Sequence, residues 1–351
     1  MAKTFKSLLG DDVANTRTLL HEAIPITGTI VSGTYLDADG EHNIKKFSHG
    51  MFESVYDYPY LSSSANHIFD VTYGCSSNVS SSTNTQNAKK LNIYNQMAQV
   101  LMGYDVSGNI RKFDSDGTLD DSLGTMNHCF FMNFTRLLVK DEIKKNSLRL
   151  VLHTSGNVTF AADKRESRVT FGDYLSANEF RTSPAGDYGL VVTSSTADNE
   201  SSVGLVFYQA GVVVLSSSIF LEQFGTPDDV THVVSTGTSI HAAQTGSTID
   251  TLADSFRYTI DDIDFNNTIE LNSAIYFCRI NHNEYNYSSN PTYVTGSKLR
   301  VKNNVNDLPI TYITSVGLYS PDNELLAVAK LSEPIRKDPN TELTLRVRLD
   351  Y

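Results

Sequence analysis

The last nine residues alternate without exception. Leu343, Leu345, Val347, Leu349 and Tyr351 are apolar, and Thr344, Arg346, Arg348 and Asp350 between them are polar. A period of two belongs to a β-strand, whose successive side chains point to opposite faces; no helix can present it as one apolar stripe. The segment is expected to supply a strand with one buried and one wet face, pinning the carboxy terminus into the fold. Upstream, the run 310–318, a turn at Ser320-Pro321-Asp322-Asn323 and a return over 324–331 read as two further strands, with Pro334 and Pro339 bracketing a loop. Composition supports this reading. There is no tryptophan, but 18 tyrosines and 17 phenylalanines occur among many Ser, Thr, Asn and Val residues, which favours strands joined by polar loops. The expected fold class is mainly β, built from β-sandwich-like domains at the margin of α+β.

One helix interrupts the β pattern. Leu91, Tyr94, Ala98 and Met102 form a stripe of helical period, widened by Ile93, Met97, Val100 and Leu101 and stopped by Gly103. A buried helix over 88–102, packed on a sheet, is expected. It follows a polar stretch, 76–87, that reads as a loop. The chain divides on this reading into a loose amino-terminal arm (1–18), a mixed β domain with the helix (19–154), a β-rich insertion or second domain (155–260) and a closing β segment (261–351). The arm is expected to become ordered only in an assembly. A hairpin is expected around the turn Asp37-Ala38-Asp39-Gly40, and adjacent buried strands at 203–208 and 212–215, hinged at Gly211.

Chemistry is hard to find in these residues. No GxGxxG, P-loop or GxSxG occurs. Cys75, Cys129 and Cys278 are too scattered for a disulfide framework or a zinc site, and read as buried thiols. His128 beside Cys129 imitates a catalytic pair, but neighbours on a strand face opposite ways. Asp37 to Gly40 and Asp114-Ser115-Asp116-Gly117, the latter continuing to Asp120 and Asp121, lack the ligand set of a calcium loop and read as turns. With 40 acidic and 28 basic residues the chain has net charge −12, which argues against a nucleic-acid footprint. The first ten residues show no signal-peptide pattern, and the longest apolar run is too short to span a bilayer. No catalytic, cofactor or metal residues are expected. The exposed arginines of the last strand, Arg346 and Arg348, are the candidate interface residues.

Two stretches carry a resemblance. The first runs from His67-Ile68-Phe69-Asp70-Val71-Thr72-Tyr73-Gly74 through Asn87-Ala88-Lys89-Lys90, Ile93-Tyr94-Asn95-Gln96-Met97-Ala98 and Leu101-Met102-Gly103-Tyr104-Asp105 to Phe134-Thr135-Arg136-Leu137-Leu138-Val139-Lys140-Asp141. The second is Glu284-Tyr285-Asn286-Tyr287-Ser288-Ser289-Asn290-Pro291-Thr292-Tyr293, followed by Tyr312-Ile313-Thr314-Ser315-Val316-Gly317-Leu318-Tyr319 and Leu325-Leu326-Ala327-Val328-Ala329-Lys330-Leu331. About half the chain thus resembles virion structural proteins of large contractile-tailed bacteriophages, T-even-like and of marine or cyanobacterial type, and its closing strands resemble baseplate wedge subunits. The resemblance implies a non-enzymatic subunit of the tail, from baseplate wedge or neck. Such a subunit is made in the host cytoplasm and joins other virion proteins and copies of itself, without nucleic acid, membrane insertion or a small-molecule substrate. A receptor- or glycan-binding fibre-attachment module is the alternative, and a depolymerase the third.

Overall fold

The computed structural model describes residues 5–26, 43–78, 86–117, 124–154, 168–193, 202–220, 223–224, 233–234, 246–288, 294–295, 298–299, 304 and 306–351. In chain order the strands are β1 (Val13–Pro25), β2 (Ile44–Lys46), β3 (Glu53–Tyr56), β4 (His67–Cys75), β5 (His128–Phe134), β6 (Glu142–Ile143), β7 (Arg149–His153), β8 (Arg168–Gly172), β9 (Arg181–Ser183), β10 (Gly186–Val191), β11 (Gly204–Phe207), β12 (Val212–Ser216), β13 (Gln223–Phe224), β14 (Val233–Val234), β15 (Ile260–Ile280), β16 (Val294–Thr295), β17 (Lys298–Leu299), β18 (Thr311–Tyr319), β19 (Leu325–Lys337) and β20 (Leu343–Asp350). The α-helices are α1 (Asn87–Leu101), α2 (Arg136–Val139) and α3 (Ile249–Thr259). The protein is mainly β. It forms two compact units: unit 1 comprises residues 1–19 and 270–351, and unit 2 comprises residues 20–269.

Unit 2 is sandwich-like. One sheet has eight antiparallel strands in the order β2-β3-β4-β5-β12-β11-β10-β9. The other joins β7, β8, β6 and the first half of β15. Phe69, Tyr73, Phe130 and Phe134 of the first sheet share a core with Leu150, Leu152, Ile263 and Phe265 of the second, and the Phe134 and Phe265 rings lie 5.1 Å apart. The opposite face of the first sheet carries a second core, in which Cys129, Phe131, Phe207 and Val214 meet Ile93, Tyr94, Ala98 and Leu101 of α1. Because β5 is buried on both faces, its sequence is a nearly continuous apolar run instead of an alternation.

The helix lies where the sequence placed it, but its stripe is rotated. Asn87, Lys90, Ile93, Tyr94, Ala98 and Leu101 are buried, whereas Val100 is 66 % exposed. Its backbone rests on Gly74 of β4, where a Cβ would come within 2.8 Å of the Tyr94 amide nitrogen. A second long helix, α3, is not expected from the sequence. Thr248 caps it by accepting from the Thr251 amide, Ile249, Leu252, Ala253 and Phe256 are buried along one side, and Phe256 stacks on Phe130 at 4.7 Å.

Two expected boundaries are corrected. The described strands of 155–260 do not stand apart as a second domain: β12 pairs with β5 from Val212↔Asn133 to Ser216↔Cys129, and β8 pairs with β7. Hydrogen bonding across these strands makes the described strands β8 and β12 part of the same sandwich as the preceding segment. The arm also differs. Its second half enters β1, which lies beside β15; Arg17 pairs with Glu270, and Arg279 Nε reaches Asp12 Oδ1 at 2.8 Å. Residues 1–4 and the expected turn at 37–40 lie outside the described residues. The adjacent strands around Gly211, whose φ is +68°, are present as β11 and β12.

Unit 1 contains the second half of β15, β20 and the hairpin β18–β19. Pairing of β15 with β20 runs from Ser273↔Asp350 to Ile280↔Leu343. The β18–β19 ladder runs from Thr311↔Lys337 to Tyr319↔Leu325, with irregularities beside Ile313 and Leu318. The turn joining them closes through Ser320 N–H to the Glu324 carbonyl, with Asn323 at φ +66°.

Candidate interaction surface

The register of β15 and β20 puts Ala274, Tyr276, Cys278 and Ile280 on one face with Leu349, Val347, Leu345 and Leu343. This face is as apolar as the sequence promised, but it is not buried as expected. Of the eight side chains only Ala274 is buried, and the rest are half-buried. The same holds throughout unit 1. Among the described residues, Ala274 is its one buried apolar side chain; every other buried apolar residue of the chain belongs to unit 2.

Polar links hold unit 1 in place of a core. Lys337 is fully buried and its Nζ donates to the His282 carbonyl (3.0 Å), Asn286 Oδ1 (2.7 Å) and the Asp338 carbonyl (2.7 Å). Thr311 Oγ1 donates to the Tyr285 carbonyl at 2.6 Å, and Lys6 Nζ donates to Glu284 Oε2 at 2.5 Å. Such contacts fix geometry, yet each adds little net stability compared with apolar burial.

The hairpin carries apolar groups on both faces. Ile313, Val316, Leu318, Ala327, Ala329 and Ile335 are half-buried. Register places Tyr319 with Leu325 and Gly317 with Val328 on the opposite face. There Tyr319 is 46 % exposed, Leu325 53 % and Val328 55 %, with Leu326 beside them at 68 %. Gly317 leaves the Tyr319 ring lying flat, since a Cβ would meet its Cε2 at 2.9 Å. Phe5 closes on the ring edge at 4.8 Å.

The two predicted interface arginines are both exposed on β20 but are not equivalent. Arg348 Nε donates to Asp350 Oδ1 (2.7 Å) and its Nη2 donates to Ser273 Oγ (3.2 Å). The Ser273 hydroxyl and this guanidinium hold the Asp350 carboxyl below the usual carboxylate range. The Arg346 guanidinium, beyond the backbone pairing of its strand, has no ion pair or hydrogen bond to a described residue. Arg346 is therefore the cation without a partner among the described residues, whereas Arg348, though 59 % exposed, is already engaged.

Elsewhere, side chains with chemical potential are enclosed. His128 Nδ1 shares a 2.6 Å hydrogen bond with the Tyr73 hydroxyl, while Cys129 lies in the other core with its Sγ toward the Met126 carbonyl. The two do face apart. Cys75 and Cys129 are buried, Cys278 is half-buried, and all three are free; burial pushes each thiol up. Asp114 accepts from the Asp116 amide in a turn completed by Gly117 at φ +73°. Burial, followed by the Asp116 carboxyl, pushes its own carboxyl up to about 7. Asp120 and Asp121 lie outside the described residues. Among the described residues no group of three or more His, Cys, Asp or Glu side chains is arranged to hold a metal, and no helix is long and apolar enough to cross a membrane.

Sequence reading missed the hairpin's outer face and the anchoring lysine. A signal for the first existed: Leu325, Leu326 and Val328 break the alternation that Ala327, Ala329 and Leu331 would keep, so one strand offers apolar groups to both sides. No sequence signal marked Lys337. No family model, curated protein or solved structure matches this chain.

Proposed function

We propose that the chain is a structural subunit of a contractile-tailed phage particle, in the baseplate wedge or neck, which assembles through protein–protein interfaces and has no enzymatic role. The observation that supports this reading is the makeup of unit 1. Its strands carry the apolar residues of a core without enclosing one, and a sheet's apolar face must be covered by something. In an assembled particle a neighbouring subunit supplies the missing layer. The stretches that resemble virion proteins include the hairpin strands, and so support the same reading. Arg346, open on β20, would add a charged contact at the rim; Arg348 is already engaged within the chain.

Particles produced without this chain test the reading. Incomplete, non-infectious particles that regain full morphology when the chain is supplied are expected. Complete infectious particles formed in its absence would overturn it. Within that assay Arg346→Ser should lower incorporation more than Arg348→Ser, and both variants should fold.

A further inference from the structure

We infer that the occupant of the hairpin's outer face is a second copy of this chain, docked hairpin to hairpin about a two-fold axis. The inference rests on the subunit reading above and names the partner of the same surface. Three observations support it.

The first is the surface itself. Tyr319, Leu325, Leu326 and Val328 are each roughly half exposed or more, on a hairpin whose other face also carries half-buried apolar groups. A two-stranded hairpin is at best marginal by itself.

The second is how the charge divides. Unit 1 has 12 basic and 11 acidic residues, net +1, leaving 16 basic and 29 acidic in unit 2, net −13. The whole excess charge of the protein is carried by unit 2. Copies approaching through unit 2 bring the charged surfaces themselves into contact, whereas copies approaching through nearly neutral unit 1 meet with less repulsion.

The third is the charge order along the hairpin. Asp322 and Glu324 stand at its turn. Lys330 and Arg336, both exposed, follow toward its base, with Glu333 the one acid among them; Lys337 is buried inside the unit, and Arg336 also reaches Asp338. The exposed side of the hairpin is therefore acidic at the tip and basic toward the base. A two-fold axis runs two hairpins antiparallel, setting each tip against the other's basic half while their apolar faces meet. An isologous contact of this kind needs one self-complementary surface and closes after two copies.

Sedimentation equilibrium of the full chain tests the inference, with Leu326→Glu/Val328→Glu as the disrupting variant. Val106→Glu is the control, because Val106 is fully exposed in unit 2. The wild type and the control should sediment at about twice the 38.8 kDa chain mass. The double variant should sediment at the single-chain mass with an unchanged circular dichroism spectrum, since both positions are exposed. A monomeric wild type, or a double variant that still dimerises, overturns the inference. A monomeric wild type that nevertheless completes particles refutes the second copy and leaves the subunit reading standing. A dimer found in no particle does the reverse.

Discussion

Among the described residues two lysines are fully buried, and they are accommodated differently. Lys337 has three oxygen acceptors around its ammonium. Lys337→Met leaves those oxygens without their charged donor, at a cost of about 2 kcal/mol or more. Hydrogen exchange should show this as faster exchange of the β18 and β19 amides with no change in β4, β5 or β12. Lys90, in α1, donates to the Ser247 carbonyl at 2.6 Å, and burial lowers its amine to about 8. The unfolded chain holds that proton up to about 10.4. Between these values the unfolded state binds a proton that the folded state lacks, so the contribution of this lysine to stability rises with pH across the window, while the thiols of Cys75, Cys129 and Cys278, pushed up by burial, act in the opposite direction from about pH 8.5. Lys90→Met should flatten that rise when denaturant midpoints are compared from pH 7.5 to 9.5. The window closes near pH 10, because Tyr73, Tyr94 and Tyr208 have their hydroxyls pushed up by burial and act in the opposite direction above it.

At the scale of elements, the best-placed piece of the sequence reading was α1, and Gly74 explains its position. The strand approaches the helix backbone so closely that Gly74→Ala must displace α1 or bend β4. It should destabilise by about 1–3 kcal/mol, measured as a lower thermal midpoint, with Gly108→Ala as a control for the residue type; a Cβ at Gly108 meets nothing, although its φ of +83° costs some strain of its own. The rotation of the helix stripe was less legible. Apolar periodicity selects apolar residues, but Lys90 buries its stem and satisfies its head on a carbonyl, and Val100 stays outside. The helix α3 was missed although Ile249, Leu252, Ala253 and Phe256 repeat at helical spacing, because the Ser- and Thr-rich stretch before it reads as the end of a β region. Thr248 belongs to that stretch and is the cap that starts the helix. For β20 the alternation gave the strand and its faces correctly. It could not say that the apolar face would stay half-open, since a periodic pattern shows which side chains share a face and not what covers them.

At the scale of the whole molecule, the separation of charge from open apolar surface governs association. If copies meet through unit 1, the 13 net negative charges of each unit 2 oppose the contact. That repulsion is long-ranged at low ionic strength and is largely screened once the Debye length falls to about 8 Å near 0.15 M salt. Raising salt from 10 to 150 mM should therefore tighten self-association in sedimentation equilibrium, opposite to the response of an interface made by ion pairs. Loosening over that range would mean that charged contacts dominate.

A unit with one buried apolar side chain among its described residues also has a calorimetric consequence. Heat capacity changes on folding follow the apolar area removed from water. The free chain should melt with a smaller heat-capacity step than its length implies, because unit 2 supplies nearly all of it. The missing part should appear on association, as a negative heat-capacity change when the open faces of unit 1 are covered. Interfaces of this character weaken on cooling, so the assembled form should be the one that is sensitive to cold.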